Sequence, residues 1–90
     1  MFLWLFCHIA FLNKIRNTEY IISFGENLRR IRLKKNMTML ELAFEAEVEY
    51  SQIAKIERGK TNPTISTVYA LAKALNLKIT DLFKFPFPKH

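Results

Sequence analysis

Ninety residues, half of them apolar and 24% charged, supply one small core and leave no room for a second. Fourteen Lys and Arg against eight Asp and Glu give a net charge of +6 and a pI near 9.7, a balance that favours a polyanionic partner, either nucleic acid or an anionic membrane surface. One cysteine, Cys7, and two histidines at opposite ends, His8 and His90, exclude an internal disulfide scaffold and argue against a zinc finger or a histidine-based enzyme.

Residues 1–12, MFLWLFCHIAFL, are almost without polarity. As a helix this run spans roughly 18 Å against about 30 Å for a bilayer core, so it is too short to cross. A secretory signal places basic residues before its apolar run, whereas Lys14 and Arg16 follow this one. The remaining readings are packing onto the domain, a dimer contact, or a leader absent from the natural protein through a misassigned start codon. Residues 13–23, NKIRNTEYIIS, form a polar joint and a short apolar stretch that extends a helix or forms a strand.

From residue 24 onward the pattern is one of short helices. Phe24, Leu28 and Ile31 recur on one helical face, with Arg29, Arg30, Lys34 and Lys35 on the others. Helix one is expected over 24–35, closed by Asn36 in the left-handed conformation. Thr38-Met39-Leu40-Glu41 is a capping-box sequence that opens a second helix at about 39–46, with Leu42, Ala43 and Ala46 inward. Val48 pins the following turn to the core. A third helix runs from Tyr50 to Glu57 with Glu49 at its N-cap. Ile53 and Ile56 face inward, and Gly59 ends it. Thr64 caps a fourth helix whose expected inward stripe is Ile65, Val68, Ala72 and Leu75, with Asn76 closing it. Thr80 caps a last turn, Asp81-Leu82-Phe83, and Pro86 and Pro88 bar the tail from helix. The expected fold is all-α: a compact bundle of about five short helices over 24–83, an apolar extension at 1–23 and an aromatic, proline-containing tail at 84–90.

The block LAFEAEVEYSQIAKIERGKTNPTISTVYALAKAL, residues 42–75, resembles the lambda-repressor/Cro-like helix-turn-helix family, also called the XRE family. The likeness extends over about 24–83. Its most specific parts are Leu42-Ala43, the IxxIERG run from Ile53 to Gly59, and Asn62-Pro63-Thr64 before Ile65. The resemblance implies a DNA-binding transcriptional regulator, with the first helix of the motif across the phosphate backbone and the second in the major groove. It makes Tyr50, Ser51, Ala54 and Lys55 the expected base-contacting residues. Lys55 suits guanine O6 or N7, and Ala54 suits a thymine methyl. The plainer alternatives are surface packing or a phosphate contact for Tyr50 and a solvated charge or a plain phosphate contact for Lys55. Thr38, Gln52, Arg58, Lys60, Thr61 and Asn62 are expected on phosphates, which position the protein without reading sequence. Arg32 is expected to pair with Glu57 beneath the loop, as a structural ion pair.

Three features depart from the family pattern. Met39 stands where the family often has a phosphate-binding Gln. Glu47 occupies the turn position where Gly is common, at a cost of roughly 1 kcal/mol if left-handed. Leu33, Leu40 and Phe44 are apolar where surface is expected, either as scattered surface residues or as a shelf covered by the apolar leader. Glu41, Glu45, Glu47 and Glu49 make helix two acidic beside basic neighbours. With no nucleophile or metal-ligand histidine near them in sequence, they carry no catalytic expectation.

The leading expectation is a repressor that binds double-stranded DNA as a homodimer on pseudo-palindromic sites. Its dimer surface would be the last turn and Phe83, Phe85 and Phe87, with the leader as a further candidate. No enzyme activity, cofactor, metal or small-molecule effector is expected, and a cytoplasmic location is. The alternatives are a protein-interaction or membrane-surface peripheral module anchored by the leader, or the antitoxin of a toxin pair.

Overall fold

A computed structural model describes residues 16–87. Among these residues the chain forms four α-helices, α1 (Thr18–Lys34), α2 (Met39–Ala46), α3 (Tyr50–Glu57) and α4 (Ile65–Ala74), followed by a 3-10 helix (Ile79–Phe83). The described part contains no strand.

The first helix begins six residues before the expected Phe24. Asn17 caps it, its side chain accepting from the Tyr20 amide at 2.9 Å, and Glu19 lies in the first turn, where a negative charge meets the positive helix end. Extension of the helix, one of the two readings of 13–23, is therefore the observed one for residues 18–23. The added turn brings Ile21 onto the buried face with Phe24, Leu28 and Ile31. Asn36 closes the helix at φ 56°, as its residue type suggests.

The α2 and α3 boundaries coincide with the expected ones. Thr38 Oγ1 accepts from the Glu41 amide at 3.0 Å, and Glu41 accepts from the Thr38 amide at 2.9 Å. These bonds hold the Glu41 carboxyl below its ordinary pKa. Glu49 occupies the N-cap position of α3 without a side-chain capping bond. Glu47 adopts φ 56°, ψ 41°, the left-handed conformation. Glu47→Gly is therefore expected to raise Tm by a few degrees. Relief of about 1 kcal/mol corresponds to about 4–8 °C in a domain of this size, less the extra freedom that glycine gives the unfolded chain. An unchanged or lower Tm in a thermal melt would show an unstrained turn.

The core is built from Leu28, Leu42, Ile53, Ile56, Leu71, Leu75 and Leu82, all fully buried. The α4 stripe differs from the expected one. Ile65 is 83% exposed, and the buried set is Val68, Leu71, Ala72 and Leu75. Ile65 is the first residue of its helix and borders an open apolar hollow with Tyr20 and Phe83, which no described element fills, so matching periodicity does not bring it inward. Thr80 is not a cap either. It lies inside the 3-10 helix, whose entry is held by the Lys78 amide donating to Asp81 Oδ2 at 3.0 Å. This element is tied to α1 through Asn27 Nδ2, which donates to Leu82 O at 2.8 Å in the interior. Beyond it the aromatic tail folds back. Tyr20 meets Phe85 at 5.0 Å and Phe87 at 4.9 Å between ring centroids, and Phe83 lies 5.0 Å from Phe24.

Leu33, Leu40 and Phe44 are exposed, Phe44 by 81%. The leader expected to cover them lies outside the described residues.

Candidate nucleic-acid interface

The candidate surface is the outer face of α3, and its placement starts from behind. Ile53 and Ile56 are fully buried and fix the helix to the core. At its C-terminal end α1 comes within backbone contact. A Cβ on Gly25 would stand 2.1 Å from Ile56 O and 3.0 Å from Glu57 O, so only glycine allows this approach. Gly59, at φ 69°, turns the chain out of α3 and packs on Ile22 in the same way.

Arg32 and Glu57 lock the same junction. Arg32 Nε lies 2.6 Å from Glu57 Oε2 and Nη2 lies 2.9 Å from Oε1, a two-pronged contact between buried side chains. Arg32 Nη1 donates to Met37 O at 2.7 Å. The hydrogen bonds to Glu57 raise the Arg32 pKa against the opposing effect of burial. The guanidinium fork is therefore spent inside the fold, tying α1 to the α1–α2 turn and to α3.

The front of α3 is open. Tyr50, Ser51 and Lys55 are exposed and Ala54 is half-buried. All four line one groove of about 600 Å³, together with Arg29, Arg58 and Met39. The expected base-contacting residues are thus brought together. Thr38 borders the adjoining hollow at the N-terminus of α2, which it shares with Tyr50. Gln52 is half-buried between the two faces of α3. Lys60 is exposed, and its carbonyl lies 3.5 Å from Arg16 Nη2. Thr61 is half-buried. Asn62 stands apart from the groove, on an apolar hollow with Pro63, Ile65, Tyr20 and Phe83. Arg29 and Gly25 were not singled out by the sequence as parts of this surface. Neither has a local signal, since each acquires its role only when α1 crosses α3.

Among the described residues no group of His, Cys, Asp and Glu is placed to hold a metal ion. No described helix is long and apolar enough to cross a membrane.

The helix-turn-helix family model matches residues 28–82. The control protein C.BamHI of Bacillus amyloliquefaciens is 40% identical over 63 residues, covering 69% of this chain and 78% of that one. The immunity repressor of Bacillus phage phi105 is 34% identical over 61 residues, and the match spans 42% of that protein. Among solved structures, the restriction-modification controller C.AhdI from Aeromonas hydrophila superposes with a TM-score of 0.69 at 32% identity, covering 70% of this chain and 96% of that one.

Proposed function

The chain belongs to the lambda-repressor/Cro-like helix-turn-helix family, and on that premise we propose that it is a sequence-specific regulator of transcription, a cytoplasmic repressor that binds double-stranded DNA with α3 in the major groove. The observation that carries this reading is the single groove along α3 collecting Tyr50, Ser51, Ala54, Lys55 and Arg58. A helix is about as wide as the major groove, so an open helix face with Tyr50, Ser51, Ala54 and Lys55 in front and basic residues at its rim fits base edges and flanking phosphates together. Tyr50, Ser51, Ala54 and Lys55 read bases. Arg58, Lys60 and Thr61 hold the phosphate strand, and the free amides of the first turn of α2 beside Thr38 donate to a phosphate oxygen. Gln52 contacts the backbone from its half-buried position. Asn62, turned to a separate hollow, contributes less than its neighbours in the loop.

One such unit buries too little for high specificity, so the active form is a dimer on an inverted repeat. Phe83, Phe85 and Phe87 remain part of the proposed dimer surface. Their packing near Tyr20 and Phe24 makes them a preformed aromatic platform, and the exposed Ile65 and Tyr69 of α4 extend it.

Titration of a random duplex at two salt concentrations tests the reading. Binding should weaken at least about 40-fold on a fourfold rise in salt, the effect of about three neutralised phosphates. Binding insensitive to salt, or absent, would overturn it. Lys55→Ala should relax preference at one base position by about 1–3 kcal/mol, whereas Lys60→Ala should weaken all sequences alike. Sequences selected from a random pool should carry an inverted repeat.

A further inference from the structure

Three arginines stand on the second half of α1, and the fold gives each a different position. Arg32 is turned inward, with its fork on Glu57 and Met37 O. Arg30 Nη2 donates to Asn27 Oδ1 at 2.7 Å, one turn back on the same helix, and Arg30 borders a hollow with Phe85 and Pro86 of the tail. Arg29 is exposed and lines the groove along the front of α3 with Lys55 and Arg58. Its position follows from Gly25 one turn earlier. The helix face that carries residue 25 rests on Ile56 O, and residue 29 lies on the same face. The close approach therefore carries Arg29 to the C-terminal end of α3. Met39 borders the same groove with a thioether, a weak acceptor with no hydrogen to donate to a phosphate.

We propose that Arg29 is a phosphate clamp of the DNA interface, acting with Arg58 on the strand that borders the groove entered by α3. The proposal rests on the DNA-binding reading above. A guanidinium presents two parallel N–H donors to a phosphodiester, which a lysine or a methionine in its place does not. Arg29, Lys55 and Arg58 are like charges around one groove, and an anion seated between them relieves their mutual repulsion. Arg29 and Arg58 also line the adjoining hollow with Ile22, Arg30 and Glu57, but of the two exposed arginines of α1 only Arg29 reaches the groove along the front of α3.

The test compares the parent chain, Arg29→Ala, Arg29→Lys and Arg30→Ala in titrations of a random-sequence duplex over a series of salt concentrations, with a thermal melt of each variant. For Arg29→Ala the slope of log affinity against log salt should become shallower by about 0.9. A fourfold rise in salt then weakens its binding about 3.5-fold less than it weakens the parent. Arg29→Lys should keep the parent slope, since the charge remains, and Arg30→Ala should keep it because that side chain does not line the groove along α3. A parent-like slope for Arg29→Ala overturns the proposal. An equal loss in Arg30→Ala also overturns it, because net charge would then account for the effect. A parent chain without salt-dependent binding refutes the DNA-binding reading itself, and the clamp with it.

Discussion

Glu57→Ala lowers the unfolding free energy by about 3–5 kcal/mol, because it removes one partner of a buried ion pair and strands the other. Arg32 is 6% exposed and Glu57 8%, so water cannot replace the lost carboxylate without opening the junction of α1 and α3. The remaining bond from Arg32 Nη1 to Met37 O satisfies one edge of the guanidinium and leaves Nε and Nη2 unpaired. Small domains are held by about 5–15 kcal/mol in total, so this one truncation takes a large share, and thermal or urea denaturation reads it directly. Arg32→Lys should lose part of the same energy, since an ammonium cannot reproduce the planar two-pronged contact. A loss below about 1 kcal/mol for Glu57→Ala, the range of exposed surface pairs, would show that the pair is solvated. The loss also reaches the candidate interface, because Glu57 is the last residue of α3 and Arg32 holds the turn that leads into Thr38.

Gly25→Ala is the second large effect, and its sign is the informative part. In the interior of an ordinary helix this change stabilises by about 1 kcal/mol. Here the added methyl would lie 2.1 Å from Ile56 O and 3.0 Å from Glu57 O, both main-chain atoms that no side-chain rotation can move away. The helices must separate, which loosens the contact of Phe24 and Leu28 with the core. Overpacking of this kind costs typically about 1–3 kcal/mol and sometimes more, and the rigidity of the opposing backbone places Gly25→Ala at about 3 kcal/mol. A variant as stable as the parent by urea denaturation would contradict the close approach of α1 to α3. Gly59 makes a useful comparison. There the nearest obstacle is Ile22 Cγ1, the movable end of a side chain, but Ile22 Cα at 2.9 Å and the φ of 69° keep a substitution unfavourable.

The sequence was most legible where local chemistry marks an element's end. Thr38 and Glu41 announce the start of α2, and Gly59 the end of α3. Asn36 and Asn76 sit at φ 56° where their short polar side chains tolerate the left-handed turn. The start of α1 was harder, because the apolar run before it blurs the contrast on which periodicity depends. The cue was Asn17 followed by Thr18 and Glu19. Ile65 illustrates a different limit, since spacing identifies a helix face but not whether the neighbouring side chains fill the space beside it. Asn27 is a buried polar residue whose partners, Arg30 and Leu82 O, lie on its own helix and 55 residues away. Only the first of these is a local pattern. Arg29, Arg30 and Arg32 show the same limit in the candidate site. They are near neighbours in sequence, yet the helical turn sends them to three different surroundings, and only the crossing with α3 decides that Arg32 is buried on Glu57 and Arg29 lines the groove.

The bond from Asn27 to Leu82 joins the beginning of the domain to its end. During translation at about 5–20 residues per second, Leu82 is made roughly 3–11 s after Asn27. Until then the polar side chain at the centre of α1 has no interior acceptor, and the core lacks a residue that is fully buried in the finished fold. A growing chain thus carries the whole helix-turn-helix before it has the means to close around it. Closure is set by the arrival of the last helix, and premature termination before that point leaves a fragment that displays the motif without the support that shapes it.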